Sequence, residues 1–144
     1  MIVLIPTVET PVAGRPVKIN FSVKNAGQTP AHEASVFASV EYRDFVNQQP
    51  FADPVELSPG FRSELVQDSE IPIVVRTREP CPDDFPAKIA SKTSGIFILV
   101  EVRYIDDFKK PGIRESRFMY DWRNLREGSN RMFTAVQVGQ APER

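Results

Sequence analysis

The sequence contains few of the residues that build catalytic or metal centres. Cys81 is its only cysteine, His32 is its only histidine, and seven glycines occur among 144 residues. One cysteine cannot form an intrachain disulfide, and a zinc site usually needs several Cys or His ligands. P-loop, G-x-G-x-x-G and G-x-S-x-G motifs are all missing, so no phosphate-cradling loop is indicated. We therefore predict a protein that is not an enzyme and that uses no cofactor.

An excess of one charge and long apolar runs are also missing. The chain has 18 Lys and Arg against 19 Asp and Glu, a net charge of −1, so we expect no nucleic-acid partner. No stretch approaches the ~18 consecutive apolar residues that span a bilayer. Residues 1–6 are mostly apolar, but no basic segment precedes them. This argues against a signal peptide and favours a first strand.

Proline, in contrast, is abundant, with 13 residues where average usage predicts about 7. Proline removes a backbone donor and clashes with the preceding turn of a helix. Because the prolines are spread along the chain, we expect short strands and few helices. Two proline-containing loops are predicted, over 43–60 and 78–95, the second with room for one or two helical turns in 87–93.

Apolar and polar residues alternate along several stretches, which is typical of strands with one buried face. The clearest stretch is 17–23, where the apolar positions are Val17, Ile19, Phe21 and Val23. The same alternation recurs in 34–42, 71–75, 96–104 and 118–122. Weaker strands are expected in 55–57, 61–66 and 132–138.

About seven to nine short strands predict an all-β fold, and specifically an immunoglobulin-like antiparallel β-sandwich. We expect a single domain over residues 1–144, with 139–144 as a frayed tail. Pro111-Gly112 is predicted to break the chain into a turn. Pro72 cannot donate to a ladder, so its strand either starts there or lies at a sheet edge. The strand 96–104 begins apolar on both faces, which indicates a central position.

Three apolar side chains, those of Phe37, Phe97 and Leu99, fall on strand faces opposite to the main apolar rows. Either another element covers them, or they form an exposed patch of the kind that contacts a protein partner. Of the two, cover is the preferred prediction.

Two acidic pairs, Asp83-Asp84 and Asp106-Asp107, lie in predicted loops and are the only candidate metal ligands. Calcium takes several carboxylate and carbonyl oxygens, and two loops at one end of a sandwich would supply them. The spacing D-x-D-x-D-G is absent, so solvated turn residues are the competing interpretation. His32 and Cys81 are interpreted as a surface histidine and an ordinary cysteine, because one residue of each type does not make a metal cluster.

Several short stretches carry a family resemblance. They are residues 13–16 (AGRP), 25–31 (NAGQTPA), 94–95 (SG), 104–108 (YIDDF) and 117–118 (RF). Together they resemble the small extracytoplasmic sandwich domain of bacterial membrane-anchored proteins of unknown function. The chain departs from that pattern at Lys109, where a glycine is expected, and at Met119, where a cysteine often stands.

The resemblance implies a location on the periplasmic or extracellular side of a bacterial membrane, an anchor segment absent from this chain, and no catalytic residues. A cytoplasmic location stays open. We expect a non-catalytic interaction or spacer module whose partner is a protein and whose only link to the membrane is that anchor. Strand edges and the loops 43–60 and 78–95 would make its contacts. The alternative is a calcium-dependent or small-ligand (carbohydrate) binding domain that uses the two acidic loops.

Overall fold

The computed structural model describes residues 1–46, 50–57 and 63–135. About 49% of this part of the chain is strand and 9% is helix, and the strands form two antiparallel sheets. The all-β prediction is confirmed. The predicted strands in 61–66 and 132–138 lie partly outside the described residues, and the predicted tail 139–144 lies wholly outside them.

Ten strands and two short helices occur in the described residues, and four of the strands are only two residues long. The strands are β1 (Ile2–Val3), β2 (Thr7–Val8), β3 (Lys18–Lys24), β4 (Ala31–Asp44), β5 (Val55–Glu56), β6 (Ser63–Leu65), β7 (Glu70–Arg76), β8 (Ser94–Ile105), β9 (Pro111–Tyr120) and β10 (Phe133–Thr134). The helices are α1 (Phe85–Ala90) and α2 (Trp122–Glu127).

The first sheet is built around β3. Strand β7 pairs with all seven residues of β3 along one side, and β1 and β2 pair with its two ends along the other. Burial alternates along β3, and the predicted inward row of Val17, Ile19, Phe21 and Val23 is fully buried. The period-two pattern therefore predicted this strand correctly.

The second sheet has the order β10-β9-β8-β4, with β5 and β6 along the far side of β4. Strand β8 lies between β4 and β9, as its apolar start predicted. The side chains of β8 that face the first sheet are completely buried: Ile96, Ile98, Val100 and Val102. They join the inward row of β3 in one hydrophobic core, so the two sheets stabilise each other by burying a shared apolar surface.

The outer face of the second sheet is covered at one end. Phe45 and Phe51 contact Phe97 edge-on, with ring centroids 6.2 and 6.0 Å apart, and Leu99 is only 5% exposed. Phe37 lies 4.0 Å beneath the guanidinium carbon of Arg103. Phe97 and Leu99 are covered as predicted, whereas Phe37 is half-buried and its cover is a side chain of the neighbouring strand β8, not another element.

The predicted strand 118–122 ends earlier than its alternation suggests. Trp122 begins α2, because Asp121 caps the helix: its carboxylate accepts from Arg123 N at 2.9 Å, and Asn124 Oδ1 accepts from Asp121 N at 3.0 Å. Such a capping box satisfies donors that a helix end leaves free. Gly128 closes the helix in the left-handed conformation (φ 66°).

Pro111-Gly112 does not form the predicted turn. These residues are the first two of β9, opposite Ile105 and Tyr104, and proline is tolerated as the first residue of a strand. The turn is made by 106–110, where Asp106 Oδ1 accepts from Phe108 N and Lys110 N at 2.8 and 2.9 Å.

Candidate interaction edge

The two acidic pairs lie at opposite ends of β8. Asp84 precedes α1 and pairs with Lys88 without making a side-chain cap hydrogen bond, whereas Asp106 and Asp107 follow the last residue of β8. Twelve extended residues separate them by about 35 Å, so they do not form one site. No three His, Cys, Asp or Glu side chains of the described residues are placed to hold a metal ion together. Calcium binding by either pair alone stays a prediction.

His32 has more partners than a lone surface histidine. Its Nδ1 lies 2.5 Å from Glu64 Oε2, and its Nε2 lies 2.6 Å from Asp107 Oδ1. The hydrogen bond with Asp107 and then that with Glu64 raise the pKa of His32. The same glutamate also accepts, at 3.4 Å, from Glu33 N. The ring thus links β4, β6 and the turn after β8.

Cys81 is buried and lies far from His32. Burial, followed by the charges of Asp83 and Asp84, raises the pKa of its thiol. Cys81 lies near Tyr42, which is ten residues and so about 30 Å along β4 from His32. A buried thiol with a raised pKa is a poor nucleophile. The structure therefore forms no Cys–His pair.

The long side of β7 that faces away from β3 has no strand partner in the part of the chain that the structure describes. Two backbone hydrogen bonds flank the ladder: Thr77 N donates to Val17 O at 3.0 Å, and Asn25 N donates to Ser69 O at 3.1 Å. Along an antiparallel ladder, the backbone N–H and C=O groups of successive residues point alternately toward and away from the neighbouring strand. The odd-numbered residues of β7 therefore bond to β3, and the even-numbered residues direct their backbone groups outward.

These outward residues are Glu70, Pro72, Val74 and Arg76. All four present a carbonyl, but Pro72 has no N–H and so interrupts the row of donors. Proline on an edge strand is a common means of preventing unwanted pairing. Of the two predicted alternatives, a strand start at Pro72 or an edge position, the described residues show the edge position. The half of the strand beyond Pro72 keeps two outward N–H groups, those of Val74 and Arg76.

Strand β4 has a similar unpaired stretch nearby. Leu57 N donates to Val36 O, and Phe45 N donates to Thr93 O, so the even-numbered residues of β4 face away from β8. Strand β5 pairs only as far as Ala38. Val40 and Tyr42 lie beyond the end of β5, and their outward backbone groups have no hydrogen-bond partner among the described residues. We call the outward side of β7 together with 40–42 of β4 the open edge.

A cavity of about 430 Å³ lies where the two parts of the open edge meet, lined by 40–43, Pro50 and 77–79. The Tyr42 hydroxyl lies 2.9 Å from Thr77 Oγ1 and 3.1 Å from the Glu79 carbonyl oxygen. The Tyr42 ring also contacts Phe85 edge-on at 5.0 Å. Burial raises the pKa of Tyr42, and the Thr77 hydrogen bond opposes this in part. Two hydrogen bonds and a ring contact thus hold the Tyr42 side chain, and acidic and basic residues also line the cavity: Glu41, Arg43, Arg78 and Glu79.

Neither the known protein families nor the curated protein sequences contain a match to this chain. The described residues include no helix that is both long enough and apolar enough to cross a membrane. The resemblance to extracytoplasmic domains therefore stays a prediction.

Proposed function

We propose that this domain is a non-catalytic interaction module that binds a protein partner by adding a strand of the partner to β7. The observation that carries the proposal is the one-sided pairing of this seven-residue strand. In strand addition the main-chain hydrogen bonds supply affinity, and pockets beside the edge supply specificity. The open edge offers both, because the cavity lies at the end of β7 that Pro72 does not block.

The edge is also held in its binding conformation before a partner arrives. All seven residues of β7 are in register with β3, and Thr77 continues the ladder by exchanging hydrogen bonds with Val17: its N–H donates to Val17 O, and its Oγ1 accepts from Val17 N at 2.9 Å. A preformed strand loses little conformational freedom on binding, which favours affinity.

The immunoglobulin-like assignment belongs to the same proposal. Counting strands in chain order, β2-β3-β7 and β4-β8-β9 follow the A-B-E and C-F-G pairings of that fold. The position outside the cytoplasm, with an anchor beyond this chain, rests on the sequence resemblance. A spacer role needs no binding edge, so the open edge favours interaction over spacing.

Two substitutions at one position test the proposal. Val74→Pro removes an outward N–H without removing a bond to β3, whereas Val74→Thr keeps the N–H and the β-branched shape. Purified variants would be used to capture partners from an extract of the source cells. We expect a partner that wild type and Val74→Thr retain and that Val74→Pro loses. Retention of the same partners by all three proteins would contradict strand addition at β7.

A further inference from the structure

We propose that apolar and acidic residues alternate in the partner strand that the open edge accepts. The apolar side chains would face the core, and the acidic side chains would lie over Arg76 and Arg78. This inference rests on the proposed function and specifies the chemistry of the partner. It follows from the two rows of side chains that β7 presents, one on each face of its sheet.

The inward row of β7 is apolar but incompletely covered. Ile71, Ile73 and Val75 pack against the hydrophobic core yet remain half-buried, because no described strand lies beyond them. Residues of an added strand that lie directly opposite share the same face. Apolar side chains at alternate positions of the partner would therefore remove this surface from water, which favours binding.

The unblocked end of β7 is cationic. Arg76 is the last residue of the strand and Arg78 lies two residues beyond it; both are exposed, and neither forms an ion pair with any described residue. Lys18 lies opposite Arg76 in the ladder and adds a third positive charge, offset by Glu9 at 3.7 Å. Carboxylates on the partner would meet these two guanidinium groups, which prefer carboxylates because of their planar set of donors.

The acids near the edge do not reverse this preference. Glu70 lies at the other end of β7, beyond Pro72, and Glu41 pairs with Arg43 at 3.4 Å. Glu79 borders the cavity, and its exposed carboxylate offsets one of the two arginines. The unblocked half of the open edge thus carries more positive than negative charge.

A random peptide display library tests the inference with a defined probe. Peptides would be selected on the wild-type domain with counter-selection on Val74→Pro, and then selected again on the double variant Arg76→Glu/Arg78→Glu. We expect wild type to enrich peptides in which apolar residues alternate with Asp or Glu. On the double variant these peptides should bind about threefold to thirtyfold more weakly, as expected for two exposed ion pairs, and Lys or Arg should replace the acids.

The outcomes separate this inference from the proposed function. Peptides that need the Val74 N–H but show no acidic preference, or that bind the double variant equally well, would overturn the inference and leave strand addition standing. If no enriched peptide distinguishes wild type from Val74→Pro, strand addition falls, and the inference falls with it. Amide exchange of Val74 and Arg76 in the presence of an enriched peptide identifies the edge that it occupies.

Discussion

Pro72 lies directly opposite Ser22 in the ladder between β7 and β3, at a position whose backbone faces away from β3. The strand therefore accommodates a proline without losing a hydrogen bond to its neighbour. The same alternation decides which other substitutions β7 tolerates, and it yields the first prediction.

Proline at neighbouring positions of β7 should have very different effects on stability. The Ile73 N–H bonds to β3, so Ile73→Pro should lower the free energy of unfolding by about 1–3 kcal/mol, because a ladder bond is lost and its acceptor is left without a partner. Val74→Pro removes only an outward N–H and should cost less than about 1 kcal/mol. Urea unfolding of both variants measures the difference; equal losses would show that the assigned alternation is wrong.

The contribution of His32 should depend on pH in one direction. Its pKa in the folded state lies above the ordinary 6.5, so the stabilisation is fully present below pH 6.5 and is lost as pH rises through the folded-state value. The difference in unfolding free energy between wild type and His32→Gln should therefore shrink with rising pH.

Substitutions of Glu64 and Asp107, the two hydrogen-bond partners of His32, are the matched controls. Glu64→Gln and Asp107→Asn should each lower the pKa of His32, measured by NMR titration of the ring, with the larger shift for Asp107→Asn. A ring that titrates near its ordinary value in wild type would contradict the observed bridge.

The ring of Tyr104 lies close to Gly112. A Cβ at this position would lie 2.5 Å from the Tyr104 ring, so Gly112→Ala forces the half-buried ring to move and should destabilise the domain by about 1 kcal/mol, the low end of the range for overpacking. The cost should fall in a Tyr104→Ala background, because the obstructing ring is gone. An equal cost in both backgrounds, from thermal or urea unfolding, would mean that the contact with Tyr104 is not the cause.

The cap of α2 is a fourth test. Asp121→Ala should cost about 0.5–2 kcal/mol through the lost cap, and more if the Arg123 ion pair at 2.9 Å contributes. Asp121→Asn keeps an acceptor oxygen for Arg123 N and should be milder. If the two variants unfolded at the same urea concentration, the cap would not stabilise the helix.

Local patterns predicted the parts of this fold that depend on neighbouring residues. Burial of the β3 row and the edge position of Pro72 followed from alternation and from proline chemistry. The alternation of Phe118, Tyr120 and Trp122 with polar residues predicts that the strand includes Trp122. Side chains of Asp121 and Asn124 decided otherwise, by capping a helix that period-two analysis does not detect.

The open edge and the His32 bridge both depend on contacts between residues that are distant in the sequence, and no local pattern contains such contacts. His32 meets Glu64 and Asp107 across 32 and 75 positions, and spacing alone did not bring them together. The direction of the Val74 backbone follows from register with β3, fifty-four positions earlier at Asn20. A calcium site shared by the two acidic pairs is already inconsistent with the predicted strand 96–104, because the loops before and after one strand lie at its opposite ends.

If β7 is a free edge that a partner strand completes, its outward amides should be exposed until the partner binds. Amide hydrogen exchange of residues 73–76 measures this, first in the free domain and then with the captured partner or an enriched peptide. We predict slow exchange at Ile73 and Val75 in both states, and fast exchange at Val74 and Arg76 that becomes slow only in the complex. Protection of Val74 and Arg76 in the free domain, or their continued fast exchange in the complex, would contradict the claim.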